Sequence, residues 1–87
     1  MDVEGRTFPV LVFGPMARVA GKKQLPIRVQ GDTITCGTLR DRIQRQYPHL
    51  AAMLRSCRFA VDGAFVEDAR ELDGTEEIAL IGLVSGG

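Results

Sequence analysis

The 87-residue chain has no tryptophan, one tyrosine (Tyr47), one histidine (His49) and two cysteines (Cys36 and Cys57). These scarcities exclude whole classes of chemistry. Two cysteines and one histidine fall short of a structural zinc set, which takes four ligands, so no metal is expected. They also fall short of a multi-bridge disulfide framework and read as reduced thiols, which points to a cytoplasmic protein. Charge of one sign is missing too: eleven Lys and Arg balance eleven Asp and Glu. Without a basic excess or a basic stripe interleaved with aromatics, nucleic acid is not an expected partner. No apolar run approaches the ~20 residues of a membrane helix, and no membrane association is expected. The opening "MDVEGRTFPV" carries acids and lacks the basic start and long apolar stretch of a signal peptide.

A catalytic centre is equally hard to assemble. There is no P-loop and no G-x-G-x-x-G. His49 follows Pro48 with no acid or nucleophile at a suggestive spacing. Cys36, beside Gly37 at the expected helix start, is placed where a thiol pKa can fall. A small buried thiol is the favoured reading of both Cys36 and Cys57. No active site and no stably bound cofactor are expected. The chain reads as a substrate or binding module.

What is present is apolar patterning for one domain spanning residues 1–87. "FPVLVFG" (8–14) is a β-branched and aromatic run closed by Gly-Pro, which predicts a strand and a turn. "MARVAGKK" predicts one short helical turn ended by Gly21. "QLPIRVQG" (24–31) alternates Leu25, Ile27 and Val29 with polar residues, and its Pro26 marks an edge strand. The principal helix is expected from Thr38, taken as N-cap, with Leu39, Ile43 and Tyr47 on one face and Pro48 as its end. "HLAAMLRS" continues as a second helical segment. "RFAVDGAFVED" holds Asp62-Gly63 between two apolar runs, a hairpin signal. A turn at Asp73-Gly74 then leads into the strand "EIALIGL". The expected core is Val10, Val12, Leu25, Ile27, Leu39, Ile43, Leu54, Val61, Val66, Leu72, Ile78 and Leu80. The order strand, strand, helix, strand, strand, strand predicts an α+β domain. It matches the ubiquitin-like β-grasp: a mixed four- to five-stranded sheet packed on one main helix.

The same alternation that turns Val10, Val12, Ile78 and Leu80 toward the helix puts Leu11, Phe13, Phe65 and Ile81 on the open face of the sheet. Large apolar groups gathered on one exposed face mark a binding surface. Beyond the last strand the sequence runs "LVSGG". Two glycines in succession pass through a slot too narrow for any side chain. The carboxylate of Gly87 is a group that another protein can activate with ATP. Residues 82–87 are expected to form a flexible tail.

Four stretches, "VLVFGPMARVAG", "TLRDRIQRQYP", "FAVDGAFV" and "DGTEEIALIGLVSGG", together resemble the small subunit of molybdopterin synthase over residues 10 to 87. The resemblance implies a ubiquitin-like sulfur carrier. A ubiquitin-activating-type adenylyltransferase would adenylate Gly87 at the expense of ATP, and a sulfur donor would convert the adenylate to a thiocarboxylate. The large synthase subunit would receive the tail, with Val84 anchored at the channel mouth and Ser85 and Gly86 threading behind it. Leu11, Phe13, Phe65 and Ile81 would contact both partners in turn. The chain departs from the family where Gly82-Leu83 stand in place of a Pro-Pro pair. Carriers for thiamine, cysteine and tRNA thiolation share the fold and the Gly-Gly end, so they remain alternatives, as does a ubiquitin-like protein modifier. A plain β-grasp interaction domain is the bland reading.

Overall fold

Two prolines face each other across the first hairpin. In the computed structural model, which describes residues 5–31 and 33–82, β1 (Gly5–Leu11) pairs antiparallel with β2 (Gln24–Gln30), and Pro9 stands opposite Pro26. Neither proline has an N–H to donate, so the pair suits a register position that requires no bond from either residue. Among the described residues no further strand pairs with the outer side of β2, which is the edge, as its proline predicts. The strand expected over 8–14 begins at Gly5 and stops at Leu11. Val12 continues the inward face and donates its N–H to the Lys23 carbonyl at 2.9 Å. α1 (Gly14–Ala20) follows and ends at Gly21, whose φ of 78° is the left-handed conformation that glycine adopts without strain.

The start of the main helix corrects the expectation. α2 spans Cys36–Gln46, and its N-cap is Thr35, whose Oγ1 accepts from the Thr38 N–H at 3.1 Å. Thr38 is therefore the third helical residue and not the cap. The helix begins earlier because its first N–H groups find distant partners: Cys36 N donates to the Arg70 carbonyl and Gly37 N to the Asp68 carbonyl, each at 2.9 Å. Those acceptors belong to the segment leading into β6 (Glu71–Leu72), which pairs with β3 (Ile34–Thr35) in a small ribbon absent from the sequence-based expectation. Pro48 ends α2 as predicted, a 3-10 turn covers Pro48–Leu50, and α3 (Ala51–Leu54) carries the expected second segment.

β4 (Cys57–Val61) turns into β5 (Ala64–Phe65) through Asp62 and Gly63, with φ of 51° and 85°. Positive φ at both central residues is the primed turn that matches the strands' twist. β7 (Ile78–Gly82) then inserts between β1 and β4, giving the order β2-β1-β7-β4-β5. It runs parallel to β1 and antiparallel to β4. This mixed five-stranded sheet, with α2 and the shorter α1 and α3, is the ubiquitin-like β-grasp predicted above.

Eleven of the twelve expected core residues are buried, while Val66 is half-buried and packs at the margin because β5 ends before it. Phe8, Val29 and Phe59, which continue the inward alternation of β1, β2 and β4, complete the sheet's contribution. Met16, Ile34, Leu50, Cys36 and Cys57 fill the remaining space.

Arg40 ties the helical layer to the loops. One terminal nitrogen donates to the carbonyls of Leu54 (2.6 Å) and Cys57 (3.2 Å); Nε and the other terminal nitrogen meet the Asp68 carboxylate at 3.2 and 2.9 Å. Its guanidinium carbon lies 5.2 Å from the centre of the Phe59 ring. Arg40→Met keeps much of the stem's packing and strands two partly buried carbonyls, so it should cost about 2–3 kcal/mol in the denaturant-unfolding free energy. Asp68→Asn removes only a solvent-screened ion pair and should cost less than about 1 kcal/mol in the same measurement.

Candidate functional site

The four residues expected on the open face do meet there. The register aligns Leu11 of β1 with Ala79 of β7, Ala79 with Ala60 of β4, and Ala60 with Phe65 of β5. A row that is large at both ends and methyl-sized in the middle leaves a hollow. It is a shallow depression of about 330 Å³, and Phe13, Ile81, Gly63 and Glu77 complete its lining. Phe13 and Phe65 are 53% and 50% exposed, which is far from their ordinary place in a core. Leu11 and Ile81 are half-buried. Arg58, opposite Ile81 in the ladder, lays its guanidinium 4.8 Å from the Phe65 ring centre and gives the apolar floor a cationic rim.

Phe65 is held in place by the turn before it. Asp62 N donates to the Glu77 carbonyl and Glu77 N to Asp62 Oδ1, both at 2.9 Å, so the β4–β5 turn is fastened to the start of β7. The alternation of residues pointed to this face; the small residues that hollow it, Ala60 and Ala79, and the arginine at its rim were not foreseen. A signal was available in the sequence: alanine stands at the outward positions of two otherwise bulky strands.

The residues considered for chemistry remain apart. His49 is exposed in the 3-10 turn, its ring 6.2 Å from that of Tyr47 in an edge-on arrangement. Cys36 does not have the lowered pKa that a helix start allows. Burial, assisted by the nearby Asp68 carboxylate, pushes its thiol up to about 11. Burial also raises Cys57, whose Sγ lies 3.1 Å from the Met53 carbonyl. Among the described residues no polar or charged side chain is buried. No group of three or more His, Cys, Asp or Glu among them could hold a metal ion. No helix among them is long and apolar enough to cross a membrane. The predicted tail residues Val84, Ser85, Gly86 and Gly87 lie outside the described residues. β7, described to Gly82, leads toward them from the middle of the apolar face.

The sequence profile of the ThiS family matches residues 10–87. No curated protein matches the chain. The crystal structure of SAMP1 from Haloferax volcanii is similar with a TM-score of 0.75 at 24% identity, covering 94% of this chain and 100% of that one. A Pyrococcus furiosus protein assigned as molybdopterin converting factor, subunit 1, has a TM-score of 0.75 at 16% identity, covering 90% and 98%. A chain of the complex of subunits 1 and 2 of molybdopterin-converting factor from Helicobacter pylori has a TM-score of 0.63 at 20% identity, covering 94% and 100%. At these identities the likeness establishes the shared fold.

The cysteine geometry has a direct test. At pH 8 both thiols should resist alkylation in the folded chain and react fully once it is unfolded in denaturant, as read by intact mass. Rapid labelling of Cys36 in the native state would show a reactive thiolate that its burial does not allow.

Proposed function

The chain belongs to the ThiS family of ubiquitin-like sulfur carriers, and from that premise we propose that Gly87 is the group that carries the sulfur. The observation that supports this most strongly is the family match itself, which runs through Gly86 and Gly87. The carboxylate of Gly87 attacks the α-phosphate of ATP on an adenylyltransferase; pyrophosphate leaves and an acyl-adenylate forms. A sulfide-level donor then attacks the carbonyl carbon and displaces AMP, leaving a thiocarboxylate. Its sulfur bonds to the acceptor substrate, and water cleaves the acyl C–S bond and restores the Gly87 carboxylate. ATP is consumed by the partner, and this chain holds no cofactor of its own. The setting is the cytoplasm.

Leu11, Phe13, Phe65 and Ile81 supply the docking surface for the adenylyltransferase and for the large subunit of molybdopterin synthase. Docking there brings β7, and the tail that continues it, to the partner's active site. Val84 anchors at the channel mouth, and Ser85 and Gly86 admit the chain through a slot that a branched side chain would block. Molybdopterin synthesis is the pathway we assign, with thiamine, cysteine and tRNA thiolation distinguished by which large partner co-purifies. A ubiquitin-like modifier would instead yield a ladder of conjugates.

Adenylation with the cognate activating enzyme and ATP, followed by intact mass after addition of a sulfur donor, tests the chemistry. The thiocarboxylate should appear about 16 Da heavier than the acid, sulfur replacing oxygen. Adding one residue after Gly87 moves the reacting carbon about 3.5 Å. Because even 1 Å can cost roughly a hundredfold in rate, the extended chain should show no activation, and deletion of Gly87 should act alike. Gly86→Val should block threading without unfolding the domain. Activation of all three variants at the native rate would end the reading.

Phe65→Asp should preserve the circular dichroism spectrum, because Phe65 lies outside the core. It should weaken binding to both partners by roughly tenfold or more, the loss typical of a central aromatic contact. Native affinity in that variant would remove the apolar face from the account.

A further inference from the structure

The carrier chemistry leaves one compositional bias unexplained. Among the eleven basic residues the only lysines are Lys22 and Lys23. Arginine stays protonated and does not attack acyl groups, whereas a lysine amine does so once it loses its proton. The chain therefore confines its side-chain amines to one place. That place is the turn between α1 and β2, where both lysines are exposed and, among the described residues, in no ion pair or side-chain hydrogen bond.

The turn lies at the end of the sheet toward which β7 points. β1 and β7 run parallel with Leu11 beside Ala79, so Val12 falls beside Leu80. On its other side Val12 donates to the Lys23 carbonyl. Lys23 is thus two strand spacings, about 10 Å, from Leu80, and Gly82 is about 7 Å farther along β7. The backbone of Gly82 and that of Lys23 are then about 12 Å apart. Residues 83–87 can span up to about 17 Å. The groove beside the lysines, about 510 Å³, is lined by Gly14, Ala17, Arg18, Gly21, Lys22 and Lys23. Small residues leave room for the two terminal glycines, and the Arg18 guanidinium suits the phosphate of a Gly87 adenylate.

We propose that Lys22 and Lys23 form an intramolecular acyl-acceptor site for the chain's own activated Gly87. This rests on the reading of Gly87 as the activated group. The Nε of either lysine attacks the Gly87 carbonyl carbon, an amide bond forms, the bond to AMP breaks, AMP leaves, and the amine's proton goes to solvent. The product is a ring closed between Gly87 and the turn. A short tether gives an effective concentration on the order of millimolar, so capture within one chain outruns capture by a second copy at micromolar concentration. While a docked partner keeps the tail extended the ring does not close and the carbonyl is left to sulfur; closure follows release of the activated chain.

The full chain bearing Gly87 as a synthetic thioester tests the site without any activating enzyme. Attack there breaks the C–S bond and releases the thiol. At micromolar protein the expected product is about 18 Da lighter than the free acid, the mass of one water, with the fragment spectrum linking Gly87 to Lys22 or Lys23. The K22R/K23R variant, conservative and exposed, should form it roughly tenfold more slowly or worse, reflecting loss of the tethered amine. A linked pair of chains, hydrolysis alone, or an undiminished ring in K22R/K23R would each overturn the proposal. The enzymatic adenylation assay is separate. Ring closure of the thioester in a chain that no activating enzyme adenylates would support the acceptor site while removing the carrier reading.

Discussion

The structure depends on one strand arriving last and taking the central position. β7 pairs with β1 on one side and β4 on the other, so within the sheet, among the described residues, it joins the first hairpin to the second. Its inward residues, Ile78 and Leu80, are almost fully buried between the two halves. Its backbone satisfies both neighbours' ladders, which leaves little freedom in where Gly82 stands. Any partner that locates the sheet also locates the start of the segment that follows.

That constraint explains why the working features lie where they do. One face of the sheet is consumed by the core, and the interior holds no buried polar or charged residue among the described residues. The opposite face carries the apolar row from Leu11 to Phe65, hollowed by two alanines. Such a domain presents a surface and a lead-in to a tail, and its cysteines are kept as core material by burial. A sulfur carrier gains from this arrangement, since an inert body does not compete for the activated acyl group. The exception is the lysine pair at the tail's end of the sheet.

Periodicity was most informative where the chain is regular. The inward set of β1, β2, β4 and β7 follows from alternation, and Leu39 and Ile43 follow from helical spacing. The hairpin at Asp62-Gly63 was legible because only residues tolerant of positive φ close a two-residue turn. The helix start was misplaced by propensity alone. Thr38 and Thr35 are both good caps, and the choice was made by the carbonyls of Asp68 and Arg70, which bond the first helical N–H groups from thirty residues away in round terms. The ribbon of β3 and β6 was invisible for a related reason: two-residue strands carry no period.

Sequence by itself determined the composition of each face, the edge strand marked by Pro26, the Asp62-Gly63 turn, the end of α2 at Pro48 and the membership of the ThiS family. Each of these rests on local stereochemistry or on patterning within one element. Tertiary structure decided the central place of β7, the cap at Thr35, the burial that silences Cys36, the Arg40 junction and the alignment of Leu11, Ala79, Ala60 and Phe65 into one row. These depend on contacts between residues far apart in the chain, and neither propensity nor period records which distant group will supply a hydrogen bond or remove a thiol from water.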